Sequence, residues 1–258
     1  MSGNYTIYND DTFAVMAKLP DESFDMIFAD PPYLISNVGL SCQNGKLTAI
    51  NKGKWDYHQS VETNFEFHKR WLKECQRLLK PQGTLWVSGT YHSIHPCGYA
   101  MQQLGIHILN EIVWFKPNAS PNLSCKYFTA SHESLIWARK SSKAKHYFDY
   151  DAMKNGNFPR DVLKKPEHQM RTVWVIPATP MNEKTFGKHP TQKPLALLDR
   201  IIRASTKEGD MVFDPFMGSG TTGVAALKLN RKFVGIDNDA KYCELARRRL
   251  DDVDNRLL

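Results

Sequence analysis

Short apolar runs alternate with amphipathic stretches along most of this chain, and this alternation constrains the fold more than any other feature. An apolar run over residues 24–29 is followed by apolar residues at helical spacing over 63–79, and the same alternation returns after residue 187. Strands that alternate with helices are typical of βα units built on a mainly parallel sheet. We therefore predict an α/β fold.

Local sequence signals set the predicted boundaries of these elements. Thr63 and Glu66 form a capping box at the start of the helix over 63–79, and Pro81 and Gly83 end it. Further strands are predicted over 84–88, 106–115, 133–138, 211–213 and 232–236, and further helices over 99–104, 194–204, 221–229 and 240–250.

Composition excludes several classes of protein. With 258 residues, 41% of them hydrophobic and 24% charged, the chain fits one large globular domain or one domain with an inserted lobe, and not a disordered or fibrous protein. No apolar run approaches the ~18–20 residues of a membrane helix and the first residues lack a signal-peptide pattern, so we expect no membrane association and a cytoplasmic protein. The formal net charge of +7 suits a polyanionic partner.

The cysteines favour neither disulfides nor a metal centre. There are five, an odd number with no CxxC pair. His92, His95 and Cys97 come closest to a metal cluster, but a closed zinc site requires four ligands, and these residues read more simply as a polar turn at the start of a helix. We predict no metal site.

A glycine-rich turn follows the predicted strand over 211–213. Gly218, Gly220 and Gly223 match the pattern GxGxxG, and Asp237 lies 19 residues after Gly218, at the end of the next predicted strand. Such a turn lets a ligand approach the backbone, and an acidic residue in that position binds ribose hydroxyls. The pattern predicts a cofactor that bears adenosine, without separating NAD from other such cofactors. A P-loop is excluded, because Gly-Lys-[Ser/Thr] is missing.

The sequence Asp30-Pro31-Pro32-Tyr33 ends the apolar run over 24–29. Two prolines fix the backbone, so a carboxylate, the carbonyl of Pro31 and an aromatic ring are held together. This cluster suits a planar base with an amino group: Asp30 and the Pro31 carbonyl would accept its hydrogens, and Tyr33 would clamp the ring. Hydride transfer from NAD needs no such cluster, so the two motifs together favour S-adenosylmethionine. The alternative is a turn that merely ends a strand.

These motifs together resemble the β class of DNA amino-methyltransferases, in which the DPPY cluster precedes the cofactor motif. The resemblance runs from Asp10-Asp11 through DPPY and the stretch from His189 to Pro194 to Asp214–Thr222, and residues 122–140 look closest to the DpnA-like subgroup. It implies a seven-stranded, mainly parallel, doubly wound sheet of the Rossmann-like S-adenosylmethionine-dependent methyltransferase fold. It also implies a single domain over 1–258, with a catalytic half over 1–140, a target-recognition insertion over 141–186 and a cofactor-binding half over 187–258.

The resemblance implies roles for individual residues. Asp30, Pro31, Pro32 and Tyr33 would be catalytic. Asp237 would hold the ribose hydroxyls of the cofactor, Asp11 would lie near its adenine, and Thr191 and Lys193 would contact its carboxylate. The implied cofactor-binding set is Asp11, Asp30, His189, Thr191, Lys193, Asp214, Phe216, Gly218, Gly220, Thr221, Thr222 and Asp237.

The implied activity is methyl transfer to the exocyclic N6 of adenine in a short DNA sequence, with GATC-like sites suggested by the subgroup. Cytosine N4 and an RNA base remain alternatives, as do an NAD-dependent oxidoreductase and an inactive DNA-binding protein. The loop over 34–54 is expected to close over a flipped base, with Lys46, Lys52 and Lys54 near the DNA backbone. A homodimer and a cognate restriction endonuclease are further partners that the resemblance suggests.

Overall fold

The computed structural model describes residues 3–34, 36, 40–43, 46–49, 60–163, 165 and 168–257. Its strands are β1 (Tyr5–Asn9), β2 (Phe24–Ala29), β3 (Leu40–Gln43), β4 (Lys46–Ala49), β5 (Leu79–Gly89), β6 (His107–Phe115), β7 (His132–Arg139), β8 (Val173–Val175), β9 (Met211–Asp214) and β10 (Lys232–Asp237). Its helices are α1 (Thr12–Met16), α2 (Val61–Leu78), α3 (Tyr91–Gln103), α4 (Tyr150–Asn155), α5 (Leu195–Ser205), α6 (Thr221–Lys228) and α7 (Ala240–Leu257), with a 3₁₀ turn at Met181–Glu183.

Eight of these strands form one sheet in the order β1-β10-β9-β2-β5-β7-β6-β8, and β3 and β4 form a separate antiparallel pair. Only β7 runs antiparallel to its neighbours in the large sheet. The predicted mainly parallel α/β fold is confirmed, with eight strands instead of seven. Neither β1 nor β8 was among the strands predicted by residue range. The strand β8 pairs with β6 at the sheet edge and has three residues in a segment without periodicity, which is why no strand was predicted there.

Helices cover both faces of the sheet. Along β2, Met26 and Phe28 belong to the core that includes α5, α6 and α7, whereas Ile27 and Ala29 belong to the core that includes α2 and α3. Successive side chains of a strand point to opposite faces, so a strand buried on both faces is apolar at nearly every position. This double burial explains the continuous apolar run that the sequence shows at β2.

Two predicted helix starts are wrong. The helix α2 begins at Val61, because the side chain of Ser60, and not that of Thr63, caps it by accepting a hydrogen bond from the Thr63 N–H at 3.1 Å. The helix α3 begins at Tyr91 instead of residue 99, and Pro96 lies inside it. Polar residues and an internal proline conceal its first two turns from a reading of the sequence.

The segment over 141–186 contributes to the core. Met153, Trp174 and Ile176 are all less than 10% exposed, and Trp174 packs against Trp86 of β5 with 5.9 Å between ring centroids. Among the described residues, none of the helices combines the length and the apolar character needed to cross a membrane.

Candidate active site

Three predicted site carboxylates lie at one edge of the sheet. Asp30 directly follows β2, and Asp214 and Asp237 are the last residues of β9 and β10. These three strands are parallel and adjacent, so their carboxyl ends meet at the same edge. Ligands of open α/β sheets bind at this edge.

A cavity of about 450 Å³ opens there, within the ~300–1,000 Å³ typical of small-molecule sites. Its walls come from both halves of the chain. Every predicted cofactor-binding residue except Gly220 lines it, as does Pro32. The cavity is also lined by residues to which sequence reasoning gave no site role: Thr12, Phe13, Thr63, Asn64, Phe67, Asn238, Asp239 and Tyr242.

Gly218 and Gly220 have different structural roles in the turn. Gly218 has a φ of +51°, donates its N–H to Asp237 Oδ2 at 3.0 Å, and faces the His189 ring so closely that a Cβ would lie 3.1 Å from Cε1. Gly220 has a φ of +72°, and a Cβ there would lie 2.8 Å from the Cβ of Ala246 in α7. Gly220 therefore lets α6 and α7 pack closely; it does not line the cavity, and its contact with a cofactor stays a prediction.

Two of the carboxylates, the buried Asp214 and the partly buried Asp237, are hydrogen-bonded. Asp214 accepts from the Thr222 hydroxyl at 2.6 Å and from the Phe216 N–H at 3.0 Å, yet burial raises its pKa to about 7. Burial likewise raises the pKa of Asp237 to about 6, although Asp237 accepts from the backbone of Gly218 and Asp239. A positively charged partner would therefore stabilise the deprotonated form of both carboxylates.

The remaining predicted cofactor residues surround this turn. Asp11 caps α1 by accepting from the Ala14 N–H at 3.0 Å. The His189 ring packs edge-to-face on Tyr242, with 4.2 Å between centroids, and its Nδ1 accepts from the Thr191 N–H at 3.3 Å.

The DPPY segment places Asp30 in a dense polar cluster. Asp30 Oδ1 lies 2.9 Å from the Tyr33 hydroxyl, and Asp30 Oδ2 lies 2.6 Å from Lys193 Nζ. Asp30 and Pro32 line the cavity, whereas Pro31 and Tyr33 are buried beside it. Burial raises the pKa of Asp30 against the attraction of Lys193. Lys193, expected at the cofactor carboxylate, thus contacts the motif carboxylate.

Glu133 and Lys116 complete this cluster, and sequence reasoning gave neither a role. Glu133 Oε2 lies 2.9 Å from the Tyr33 hydroxyl and 3.4 Å from Lys193 Nζ, and Glu133 Oε1 lies 3.0 Å from Lys116 Nζ. Burial alone would raise the pKa of Glu133, but the two ammonium groups outweigh it and hold the pKa at about 2. Because β7 is antiparallel, its first residues lie at the carboxyl edge of the parallel strands, where Lys116 also follows β6.

The histidine and cysteine residues of α3 do not approach this cavity. Cys97 is buried, with its Sγ 3.4 Å from Nδ1 of His68. Within the part of the chain that the structure describes, no three His, Cys, Asp or Glu side chains form a group that could hold a metal ion.

The loop over 34–54 was expected to close over a base. Of this loop the structure describes residues 34, 36, 40–43 and 46–49, and Lys52 and Lys54 lie outside the described residues. Between residues 40 and 49 the described backbone forms β3 and β4, and Lys46 begins β4.

With this geometry in place, comparison with known proteins assigns a family. The sequence profile of the family described as DNA methylase matches residues 24–248, most of the chain. The chain belongs to this DNA methylase family. The resemblance to the DNA amino-methyltransferases is thereby confirmed, and this methylase is a DNA methyltransferase.

Individual relatives support the assignment to this family. The methylase is 50% identical over 246 residues to the type II methyltransferase M2.DpnII of Streptococcus pneumoniae, covering 95% of this chain and 89% of the relative. It is 48% identical over 249 residues to the type II methyltransferase M2.LlaDCHI of Lactococcus lactis subsp. cremoris, covering 96% and 90%. The crystal structure of the M1.HpyAVI–SAM complex superposes with a TM-score of 0.69 at 28% identity, covering 96% of this chain and 99% of that one. The DpnA-like resemblance is therefore confirmed.

Proposed function

We propose that this methyltransferase transfers a methyl group from S-adenosylmethionine to the exocyclic N6 of adenine in a short DNA sequence. The observation that carries the proposal is the position of Asp30, whose carboxylate follows β2, lines the cavity and lies at the same sheet edge as the glycine-rich turn. A base that reaches Asp30 therefore lies beside a ligand held by that turn.

The charge of the cavity supports S-adenosylmethionine over NAD. Five carboxylates line the cavity, although the chain as a whole has a net charge of +7. They are Asp11, Asp30, Asp214, Asp237 and Asp239. S-adenosylmethionine carries a positive sulfonium and a positive ammonium group, whereas NAD carries a negative pyrophosphate. The relative M1.HpyAVI was crystallised with SAM, in a chain that this one matches along nearly its whole length.

The bound cofactor supplies an activated methyl group, and the protein orients the amino nitrogen toward it. Asp30 and the carbonyl of Pro31 accept the two amino hydrogens, which directs the nitrogen lone pair at the methyl carbon. Pro32 fixes the backbone and Tyr33 holds the base. The base reaches this site only after it rotates out of the duplex stack. Positioning and electrostatics thus contribute most of the catalysis.

The residues that line the cavity have the following roles in cofactor binding. Asp237 binds the ribose hydroxyls, Asp11 lies at the adenine, and Phe216, Gly218, Thr221 and Thr222 line the nucleoside. His189 and Thr191 close the methionine end, with Asp214 behind the turn. Asp237→Asn and Gly218→Ala are expected to weaken cofactor binding before they affect turnover.

The segment over 141–186 reads the target sequence, within a single domain whose catalytic half covers 1–140 and whose cofactor half covers 187–258. Its described part carries basic and aromatic side chains suited to phosphates and bases, among them Lys143, Lys145, Arg160 and Arg171.

The enzyme acts beside a cognate restriction endonuclease in the cytoplasm of a prokaryotic cell or in a phage system, and it forms a homodimer. Its two named relatives are type II methyltransferases, which supports this setting.

Cytosine N4 is the second candidate target, since an amino group of that base would meet Asp30 in the same way. Adenine is preferred because DPPY in the resembled class occurs more often with adenine. Unmethylated plasmid DNA incubated with the enzyme and S-adenosylmethionine, then sequenced for both marks, separates the two. N6-methyladenine in one short GATC-like motif is the expected result, and N4-methylcytosine alone would overturn the adenine assignment.

A further inference from the structure

The ammonium group of Lys193 is directed at three oxygen atoms of the protein in the observed arrangement. Its ammonium group has three hydrogens, and three acceptors surround it: Asp30 Oδ2 at 2.6 Å, the Tyr33 hydroxyl at 3.1 Å and Glu133 Oε2 at 3.4 Å. The side chain is only 8% exposed. Lys193 is therefore bound by the catalytic cluster itself.

The cluster is balanced in charge. Two carboxylates, Asp30 and Glu133, lie against two ammonium groups, Lys193 and Lys116, with Lys193 between the carboxylates and Glu133 between the lysines. Their side chains are between 8% and 18% exposed, so water screens these charges only weakly. Removing one member leaves a buried charge without its counter-ion.

We propose that Lys193 and Glu133 are positioning residues for methyl transfer: Lys193 holds Asp30 as an oriented carboxylate, and Glu133, fixed by Lys116, holds Lys193. This inference rests on the proposed function, since it assigns Asp30 the role of accepting a hydrogen from the target amino group. Among the described residues, Asp30 Oδ1 accepts from the Tyr33 hydroxyl and Asp30 Oδ2 from Lys193 Nζ, and each oxygen has a second lone pair that can accept from the base.

The charges around Asp30 give the proposal a pH signature. Burial raises the pKa of Asp30, Lys193 lowers it and Glu133 raises it, while the Tyr33 hydroxyl donates to its carboxylate and Asp214 lines the same cavity. Deprotonated Asp30 is the stronger acceptor for the amino hydrogen, because hydrogen bonds to an ionised group are stronger than neutral ones, so the rate falls as Asp30 takes up a proton. Loss of Lys193 therefore moves the acidic limb of the pH–rate profile to higher pH, and loss of the Glu133 charge moves it to lower pH.

The test compares Lys193→Met, Lys193→Arg and Glu133→Gln with Lys73→Met, an exposed lysine of α2 outside the cavity. For each, methyl transfer to duplex DNA at saturating S-adenosylmethionine is followed across pH, and cofactor affinity is measured by calorimetry. Lys193→Met is expected to lower kcat about 100-fold and to leave cofactor Kd within about threefold. Lys193→Arg recovers part of kcat because it keeps the charge, and Lys73→Met matches the wild type.

Opposite movements of the acidic limb in Lys193→Met and Glu133→Gln support the proposal. Cofactor Kd raised more than about tenfold with kcat retained would overturn it and return Lys193 to the cofactor carboxylate. An unmoved acidic limb in both variants would also overturn it. If Lys193→Met does not fold, Glu133→Gln and Lys193→Arg decide the same question. Failure of the wild type to methylate DNA is a separate result, which rejects the proposed function.

Discussion

Asp214 shows how a single buried carboxylate links this site to stability. Both of its oxygens accept hydrogen bonds, yet burial raises its pKa to about 7 from an ordinary value of 3.8. The folded protein therefore holds a proton that the unfolded chain has lost. Over the interval between these two pKa values, Asp214 makes folding less favourable as the pH rises, and the full cost is present above pH 7.

Asp214→Asn is expected to remove this pH dependence. Asparagine can still accept from the Phe216 N–H and can donate to the Thr222 hydroxyl. The free energy of unfolding of the variant relative to wild type should therefore rise between about pH 5 and about pH 8. Urea unfolding of the ligand-free protein at both pH values checks this, with the exposed Asp151→Asn as control. An unchanged difference would contradict the role given to burial.

At the same scale, sequence reasoning found the residues that local motifs contain and missed those that depend on sheet order. Asp30 and Tyr33 lie three residues apart in one motif, but Glu133 meets Tyr33 across 100 residues. Their contact requires β7 to lie beside β5 and to run antiparallel to it. A single sequence does not fix that pairing.

Among the elements, β2, β9 and β10 match their predicted ranges to within one residue, because apolar runs with clear ends identify buried strands. The helix α3 and the strand β8 were misjudged. The first has a polar start and an internal proline, and the second is a three-residue edge strand whose partner β6 lies about 60 residues earlier in the chain.

Gly220 is expected to matter for helix packing more than for ligand contact. Gly220→Ala places a Cβ on a backbone with a φ of +72° and 2.8 Å from the Cβ of Ala246. Gly105→Ala is a matched control, because its φ of +71° gives the same backbone strain but its added Cβ has no atom within 4 Å. Gly105→Ala should cost about 1–2 kcal/mol of unfolding free energy, and Gly220→Ala at least about 1 kcal/mol more.

Chemical denaturation of the two glycine variants measures this difference. Equal losses in both would show that α7 moves away freely, and would contradict the packing role given to Gly220.

Across the whole molecule, one ion pair ties the segment over 141–186 to the helix α5. Arg200 Nη2 lies 2.8 Å from Asp161 Oδ2, both side chains are at most 5% exposed, and the guanidinium stacks 4.0 Å from the rings of Phe158 and Trp174. The segment proposed to read DNA is thus anchored to α5. The resemblance implied a target-recognition insertion over these residues, and the sequence did not indicate this anchor.

Asp161→Asn should lower the unfolding free energy by about 3 kcal/mol, because it leaves Arg200 charged and buried without its partner. The introduced amide oxygen would still accept from the Val175 N–H, as the carboxylate of Asp161 does at 3.0 Å. The double variant Asp161→Asn with Arg200→Met should be more stable than Asp161→Asn alone. Urea unfolding of the single and double variants tests this, and a double variant weaker than either single change would contradict it.

The central claim is that Asp30 activates a DNA amino group beside a cofactor bound in the adjacent cavity. The most direct test measures transfer of a labelled methyl group to duplex DNA by wild type and by Asp30→Ala, together with S-adenosylmethionine binding by each. The account predicts that wild type methylates DNA, and that Asp30→Ala binds the cofactor but transfers no methyl group above background. Substantial transfer by Asp30→Ala would contradict it.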